Sequence, residues 1–188
     1  MKNYILPAVK LTLVMAVLVG IYLLFVYAGS KVLPTNGNAE IITYKGQKFY
    51  RNIGQEFKSP KYFHGRPSSV NYKADGSGAS NKAPSNKEYL DIVQKRIDTL
   101  KMQNPGMESI KVPVELITAS GSGLDPDISP EGALYQVKRI AKARNLSEEQ
   151  VKDVVAKNTT PSVLHLLGPA KVNVLELNLA LDNISTRP

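Results

Sequence analysis

Apolar and polar positions follow three different rhythms along this chain, and each predicts a different kind of element. From Leu11 to Ala28 the sequence reads LTLVMAVLVGIYLLFVYA, an apolar run with no charge. Extended to Ile5 and Val32, it gives enough helix, at about 1.5 Å per residue, to cross the ~30 Å of hydrocarbon in a bilayer. Pro7 falls near its start, where a missing N–H costs little, and Thr12 and Gly20 are ordinary in a helix whose backbone has no competing partner in lipid. Tyr22 and Tyr27 sit toward the far end, where amphipathic rings favour the interface. The pattern predicts a tail and membrane helix over residues 1–32 and one compact domain over 33–188, a length that suits a single core.

Within the domain the rhythm shortens. Ile41–Tyr44 and Gln47–Tyr50 are β-prone runs around Lys45-Gly46, which predicts a hairpin. Residues 72–86, YKADGSGASNKAPSN, have little to bury and read as a surface loop. Ser85-Asn86-Lys87-Glu88 then has the spacing of a capping box, and Leu90, Val93, Ile97 and Leu100 recur at helical spacing until Asn104-Pro105-Gly106 ends the helix. Val112–Thr118 is short and β-branched, predicting a strand whose proline confines it to an edge. Residues 119–130, ASGSGLDPDISP, form a sharp turn that ends with Ser129 as N-cap and Pro130 at the first helical position; Leu134, Val137, Ile140 and Ala141 continue that helical face to Arg144. A second capping box, Ser147-Glu148-Glu149-Gln150, opens another helix, with Leu146 placed to staple onto Val151. After the breakers Pro161, Gly168 and Pro169, the apolar segment Val172–Leu181 reads as a closing strand, with a short helix as the alternative. The fold class expected is mixed α/β, an α+β domain behind one N-terminal membrane helix.

Charge and composition narrow the function. Cysteine is absent, which removes disulfides, thiolate nucleophiles and cysteine-ligated metal sites. The net charge of +8 is spread among acidic residues without arginine blocks or basic–aromatic alternation, which argues against nucleic acid as a partner. Lys2 and Lys10 would suit a secretory signal ending at Val26-Tyr27-Ala28, but signal cores run about 7–15 residues, so a retained anchor fits better. The same two lysines favour a cytoplasmic N-terminus and an extracytoplasmic domain, although Lys31, Lys45 and Lys48 on the other flank nearly balance them.

The turn holding Ser120, Gly121, Ser122, Gly123 and Asp125 is the candidate site. Its backbone N–H groups and the following helix N-terminus suit an anion. Against that, it lacks the phosphate-loop lysine pattern, and Asp125 and Asp127 would repel phosphate. Those two aspartates, with Ser120 or Ser122, are also oxygen ligands of the kind a hard cation takes, while Asx-turn and capping roles explain them without a ligand. A structural or partner-facing turn is the favoured reading. His64 and His165 stand about a hundred residues apart, with no neighbour that suggests a metal. No Gly-x-Ser-x-Gly elbow or defensible carboxylate pair occurs, so no catalytic residue is assigned.

Six blocks in order carry a family resemblance: IGQEF at Ile53–Phe57, YFHGRPSSV at Tyr62–Val70, APSN at Ala83–Asn86, TASGSGLDPDIS at Thr118–Ser129, the basic helix YQVKRIAKARNLS, and VNVLELNLALD near the C-terminus. Together with the single span they resemble the C subunit of the Kdp-type potassium-transporting ATPase of bacteria, over nearly the whole chain. The resemblance implies an accessory, non-catalytic subunit in the inner membrane. Its implied partners are a channel-like potassium-binding subunit, a P-type ATPase subunit, a small single-span peptide and membrane lipid. ATP, Mg and K+ would serve the whole complex, and none is assigned to this chain. Asp127 departs from the family pattern, which carries His there. Two mechanisms come with the resemblance. In one, Leu146-Ser147-x-x-Gln150 resembles the LSGGQ signature of ABC transporters and makes Ser147 and Gln150 nucleotide contacts of a catalytic chaperone that raises ATP affinity. Here Glu148 and Glu149 replace the glycines and oppose a triphosphate, and capping accounts for Ser147 and Gln150. In the other, favoured here, the domain stabilises the complex or gates the extracytoplasmic potassium entrance. A membrane-anchored envelope binding module unrelated to transport is the alternative from another class.

Overall fold

A computed structural model describes residues 2–162 and 167–185. The chain divides into two compact units, Met1–Glu40 and Ile41–Pro188. The first is α1, Lys2–Ser30, followed by turns. Its stretch Tyr4–Ser30 is long and apolar enough to cross a membrane and buries nothing inside the protein. The polar groups in it turn back on the helix: Thr12 donates to the Ala8 carbonyl (3.0 Å) and Ser30 to the Tyr27 carbonyl (2.7 Å).

The second unit opens with the expected hairpin, β1 (Ile41–Tyr44) paired antiparallel with β2 (Gln47–Tyr50). Lys45 and Gly46 both take positive φ, 48° and 79°, the handedness a two-residue hairpin turn requires. Helix α2 (Lys87–Gln103) starts one residue later than the Ser85 capping box implies. Asn86 is its N-cap, accepting from the Tyr89 N–H at 2.9 Å, and Glu88 pairs instead with Lys82 at 2.8 Å. Leu90 is half exposed, so the inward stripe narrows to Val93, Ile97 and Leu100.

Three segments depart from the sequence expectation. Residues 112–118 form no strand but a 3₁₀ turn, Val114–Leu116. Pro113 enters it with φ −57°, its carbonyl accepts the Leu116 N–H, and Val112 and Ile117 serve burial, not pairing. The helix expected from Pro130 to Arg144 is broken into α3 (Pro130–Leu134) and α4 (Val137–Arg144), because Gln136 tightens the chain with a bond to the Ala133 carbonyl and turns its side chain to other work. The C-terminal segment is strand only for β5 (Lys171–Asn173) and becomes helix α6 (Val174–Ser185). Asn173 accepts the Glu176 N–H (3.1 Å), an N-terminal cap, and Val174, Leu177, Asn178 and Leu181 recur at helical spacing toward the core.

Helix α5 (Glu148–Lys157) begins with the expected reciprocal capping box and buries Val151, Val154 and Val155. A small antiparallel sheet completes the domain, in the order β3 (Asp127–Ile128), β5, β4 (Thr159–Thr160), with Val172 opposite both Ile128 and Thr159. Around Val172 the core gathers Phe63, Ile140, Val151, Leu177 and Leu181.

Inside that core lie polar side chains with one shared task. The Phe63 N–H donates to Asn178 Oδ1 (2.8 Å) and Asn178 Nδ2 returns a bond to the Phe63 carbonyl (3.0 Å). Gln136 does the same to the next residue, accepting from the His64 N–H (2.8 Å) and donating to its carbonyl (3.0 Å). Arg139 donates to the carbonyls of Pro60 (2.7 Å) and Tyr62 (3.0 Å), to Gln136 Oε1 (2.6 Å) and to Asn104 Oδ1 (3.2 Å). Side chains from the start of α4 and from α6 thus pair the backbone where the chain leaves the turn at residues 59–62 and runs through Phe63 and His64. Replacing Asn178 with Leu strands a buried donor and a buried acceptor, at roughly 1–3 kcal/mol each. Asn178→Leu is therefore expected to lower unfolding free energy by about 2–5 kcal/mol in a denaturant titration of the detergent-purified chain. A loss below about 1 kcal/mol would mean the clamp is dispensable.

Candidate functional site

The glycine-rich turn at residues 118–129 is fastened on three sides. Segment 66–72 holds the first: the Ser120 N–H donates to the Pro67 carbonyl (3.3 Å) and Ser68 Oγ donates to the Gly123 carbonyl (2.6 Å). Ser68 Oγ also accepts the N–H groups of Val70 (3.2 Å) and Tyr72 (2.9 Å), and the Tyr72 hydroxyl closes onto the Arg66 carbonyl (2.6 Å). This ring explains why Asn71 and Tyr72 both tolerate positive φ. On the second side, the Gly78 N–H and Ser77 Oγ both donate to the Ser122 carbonyl (2.9 and 3.0 Å). On the third, the Gly54 N–H reaches the Leu124 carbonyl at 2.7 Å, and a Cβ on Gly54 would lie 2.7 Å from the Asp125 carbonyl oxygen.

The aspartates are spent locally. Asp125 accepts Arg66 Nη1 at 2.9 Å through one oxygen and the Asp127 N–H at 3.0 Å through the other, an Asx turn. Asp127 pairs with Lys171 at 2.6 Å. Ser129 caps α3 by accepting the Gly132 N–H (2.9 Å) and donates to Glu115. These groups line a cleft of about 380 Å³ between the turn and β5. Each aspartate that the sequence offers to a cation already faces a cationic side chain, and among the described residues no group of three or more potential metal ligands occurs.

The five turn residues do not share one environment. Gly121 and Ser122 are exposed, Asp125 is half-buried in its ion pair, and Ser120 and Gly123 are internal. Gly121 and Ser122 present the most surface outward, and Asp125 keeps part of its side chain exposed. Ser147 and Gln150 lie elsewhere, at the start of α5, and are bonded to each other's residue: Ser147 Oγ accepts the Gln150 N–H (3.1 Å) and Gln150 Oε1 accepts the Ser147 N–H (2.9 Å). Glu148 and Glu149 flank them, each within 4 Å of Lys152. His64 is half-buried with Nε2 against the Ser59 carbonyl (3.2 Å). Burial, with the Arg139 charge beside it, pushes the imidazole down to about 4 and keeps it neutral at physiological pH. His165 lies outside the described residues.

A second polar centre ties the hairpin to α6. Asp182 accepts from the Tyr44 hydroxyl (3.1 Å), the Tyr62 hydroxyl (3.1 Å) and Arg144 (2.7 Å), whose guanidinium also stacks on the Tyr62 ring at 4.8 Å. Burial alone would raise this carboxyl, but the bonds from Arg144, Tyr62 and Tyr44 outweigh it and hold Asp182 below its ordinary value. Arg51 grips Glu176 of the same helix at 2.7 Å.

The residues that sequence reasoning missed are the fasteners: Gly54, Arg66, Ser68, Gln136, Arg139 and Asn178. All six lie inside the blocks IGQEF, YFHGRPSSV, YQVKRIAKARNLS and VNVLELNLALD, but which block meets which is not written in local spacing. The two turn glycines give a direct test. Gly123 has φ +71°, and a Cβ there would meet the Gly78 carbonyl oxygen at 2.8 Å, whereas Gly121 has open space around it. Gly123→Ala is expected to cost about 2 kcal/mol or more in unfolding free energy and Gly121→Ala less than about 0.5 kcal/mol. Equal effects would show that the turn is not held as described.

Known proteins match this sequence along nearly its whole length. The profile of the family described as KdpC, K+-transporting ATPase, c chain, matches residues 5–183. The potassium-transporting ATPase KdpC subunit of Flavobacterium johnsoniae is 50% identical over 98% of this chain and 100% of its own length. The subunit of the same name from Bacteroides fragilis is 44% identical over 97% of this chain and 98% of its own length, and that of Bradyrhizobium diazoefficiens is 43% identical over the full length of both. With six sequence blocks in order, a single apolar N-terminal helix and full-length identity at this level, the chain belongs to the KdpC family, the c chain of K+-transporting ATPases.

Proposed function

We propose that this chain is a non-catalytic subunit of an ATP-driven potassium uptake pump, anchored by α1 with its N-terminus in the cytoplasm and its domain, residues 33–188, outside. There it stabilises the assembly and gates the extracytoplasmic entrance of a channel-like potassium-binding subunit. Its other partners are the P-type ATPase subunit, a small single-span peptide and membrane lipid, and ATP, Mg and K+ act on the complex as a whole. The observation that carries this reading is how the motif blocks use their polar groups. Asp125, Asp127, Ser129, Ser147 and Gln150 are all engaged with the chain's own backbone or side chains, in the manner of a scaffold.

The capping box supports this reading over the catalytic chaperone. A nucleotide at Ser147 and Gln150 would have to break both capping bonds and approach the carboxylates of Glu148 and Glu149. A domain outside the membrane also has no access to cytoplasmic ATP.

Two measurements test these statements. Protease added to intact spheroplasts is expected to remove the domain and leave α1 protected; digestion that required lysis of the inner membrane would overturn both orientation and gating. Gln150→Glu keeps the reciprocal bond and suits a helix N-terminus, so the apparent KM for ATP of potassium-stimulated hydrolysis in the purified complex is expected to stay within about twofold of wild type. A large rise at unchanged melting temperature would restore the nucleotide contact.

A further inference from the structure

We propose that the groove between α2 and the 3₁₀ turn Val114–Leu116 is a docking surface for an apolar segment of another subunit that carries a carboxylate on its flank. The inference rests on the reading of the chain as an accessory subunit. Residues 92, 95, 96, 99 and 103 follow helical spacing and mark one side of α2. They line a groove of about 290 Å³ whose floor is Leu100 and Leu116 and whose wall is Ile92. That is room for one or two anchoring side chains, the scale of an energetic hot spot inside a wider interface.

Three observations select the occupant. First, α2 buries only Leu100 fully among its seventeen residues. Exposed apolar side chains concentrate from here to the 3₁₀ turn, with Ile92 at 37%, Met102 at 78% and Val114 at 56% exposure. Second, the rim is cationic. Arg96 is fixed there by donating to the Ile117 carbonyl (2.9 Å), and Lys95 stands beside it. Neither forms an ion pair with a carboxylate among the described residues, and Glu88, Asp91 and Asp98 of the same helix do not line the groove. A cation at the edge of an apolar groove favours a carboxylate, because the pair forms in a partly dehydrated setting where attraction exceeds its value in water. Third, the other occupants fit poorly. Those three acids nearly cancel Lys87, Lys95, Arg96 and Lys101, leaving α2 little attraction for an anionic bilayer. A second copy docking groove to groove about a two-fold axis would bring Lys95 and Arg96 against their own kind.

The chain has no cysteine, so a single cysteine at Thr99, an exposed groove position, can carry a benzophenone probe cleanly. In the purified complex, irradiation is expected to join Thr99→Cys to another subunit at an apolar segment with Asp or Glu within about one helical turn. A product with lipid, with a second copy of this chain, or with a segment lacking a carboxylate overturns the proposal. In parallel, Lys95→Glu combined with Ile92→Glu, both at exposed positions, is expected to cut recovery of the other subunits in a tagged pull-down from solubilised membranes by about tenfold, with Lys95→Arg close to wild type. Recovery at the wild-type level overturns the groove alone. If the wild-type chain recovers no other subunit, the accessory-subunit reading falls, and the groove proposal with it. If the double variant also melts lower, the crosslink, made in a chain that keeps Ile92 and Lys95, decides by itself.

Discussion

The domain depends on a problem of backbone accounting at residues 60–64. This stretch dips into the core at Phe63 without a neighbouring strand, so the backbone groups around that residue must find partners away from water, and an unpaired one costs about 1–3 kcal/mol. Asn178 and Gln136 each answer with a two-point amide clamp, on Phe63 and His64, and Arg139 takes the carbonyls of Pro60 and Tyr62. Because the clamps come from the residue that opens α4 and from α6, the segment fixes where both helices sit. The break between α3 and α4 at Gln136 is the visible cost of placing that amide. The same segment continues into Arg66, Pro67 and Ser68, which fasten the glycine-rich turn, so the path from core to turn is one stretch of chain.

Arg139 is an unusual component of such a centre. It is 5% exposed and all four of its hydrogen-bond acceptors are neutral oxygens. Burial lowers it only to about 10, so it stays charged at physiological pH. A charge held by neutral dipoles gains its stability only if every one of them is in place, which makes the network intolerant of alternative packing. That intolerance suits a subunit that must present fixed loops, and the same charge adds to the burial that keeps His64 neutral.

Much of the architecture was legible locally. The membrane-length run, the Lys45-Gly46 hairpin, the Ser147 capping box and the stop at Asn104 each rest on a short-range rule: chain length in lipid, turn handedness, reciprocal capping, a C-terminal amide. The failures also have local reasons. Val112–Thr118 has strand composition, but its proline starts a 3₁₀ turn, and Val112 and Ile117 are wanted for burial. Val172–Leu181 alternates well enough to pass for a strand, yet Asn173 caps a helix whose inward residues, Leu177, Asn178 and Leu181, are spaced three and four apart. The signal was available in the Asn173-to-Glu176 cap and in an asparagine placed on the apolar stripe. Ser85 lost to Asn86 as a cap by a single residue, a choice between two good capping side chains that composition does not decide.

What stayed hidden was the meaning of the sequence blocks. As local patterns, SGSGLDPDIS suggests an anion or cation site, and LSEEQ suggests a degenerate nucleotide signature. Folded, the first is a knot whose serine, glycine and aspartate groups answer Gly54, Arg66, Ser68 and Gly78, residues more than forty positions away, and the second is a helix cap. Long-range partners of this kind leave no trace in spacing, whereas a full-length family match reflects all of them at once. The contrast with α2 is then informative. Where the sequence blocks spend their aspartates and capping groups on the chain itself, this helix leaves an apolar groove rimmed by two cations without carboxylate partners among the described residues. In a subunit whose other motifs are closed on themselves, a surface left unsatisfied on one helix face is the natural place for the assembly to complete the chain.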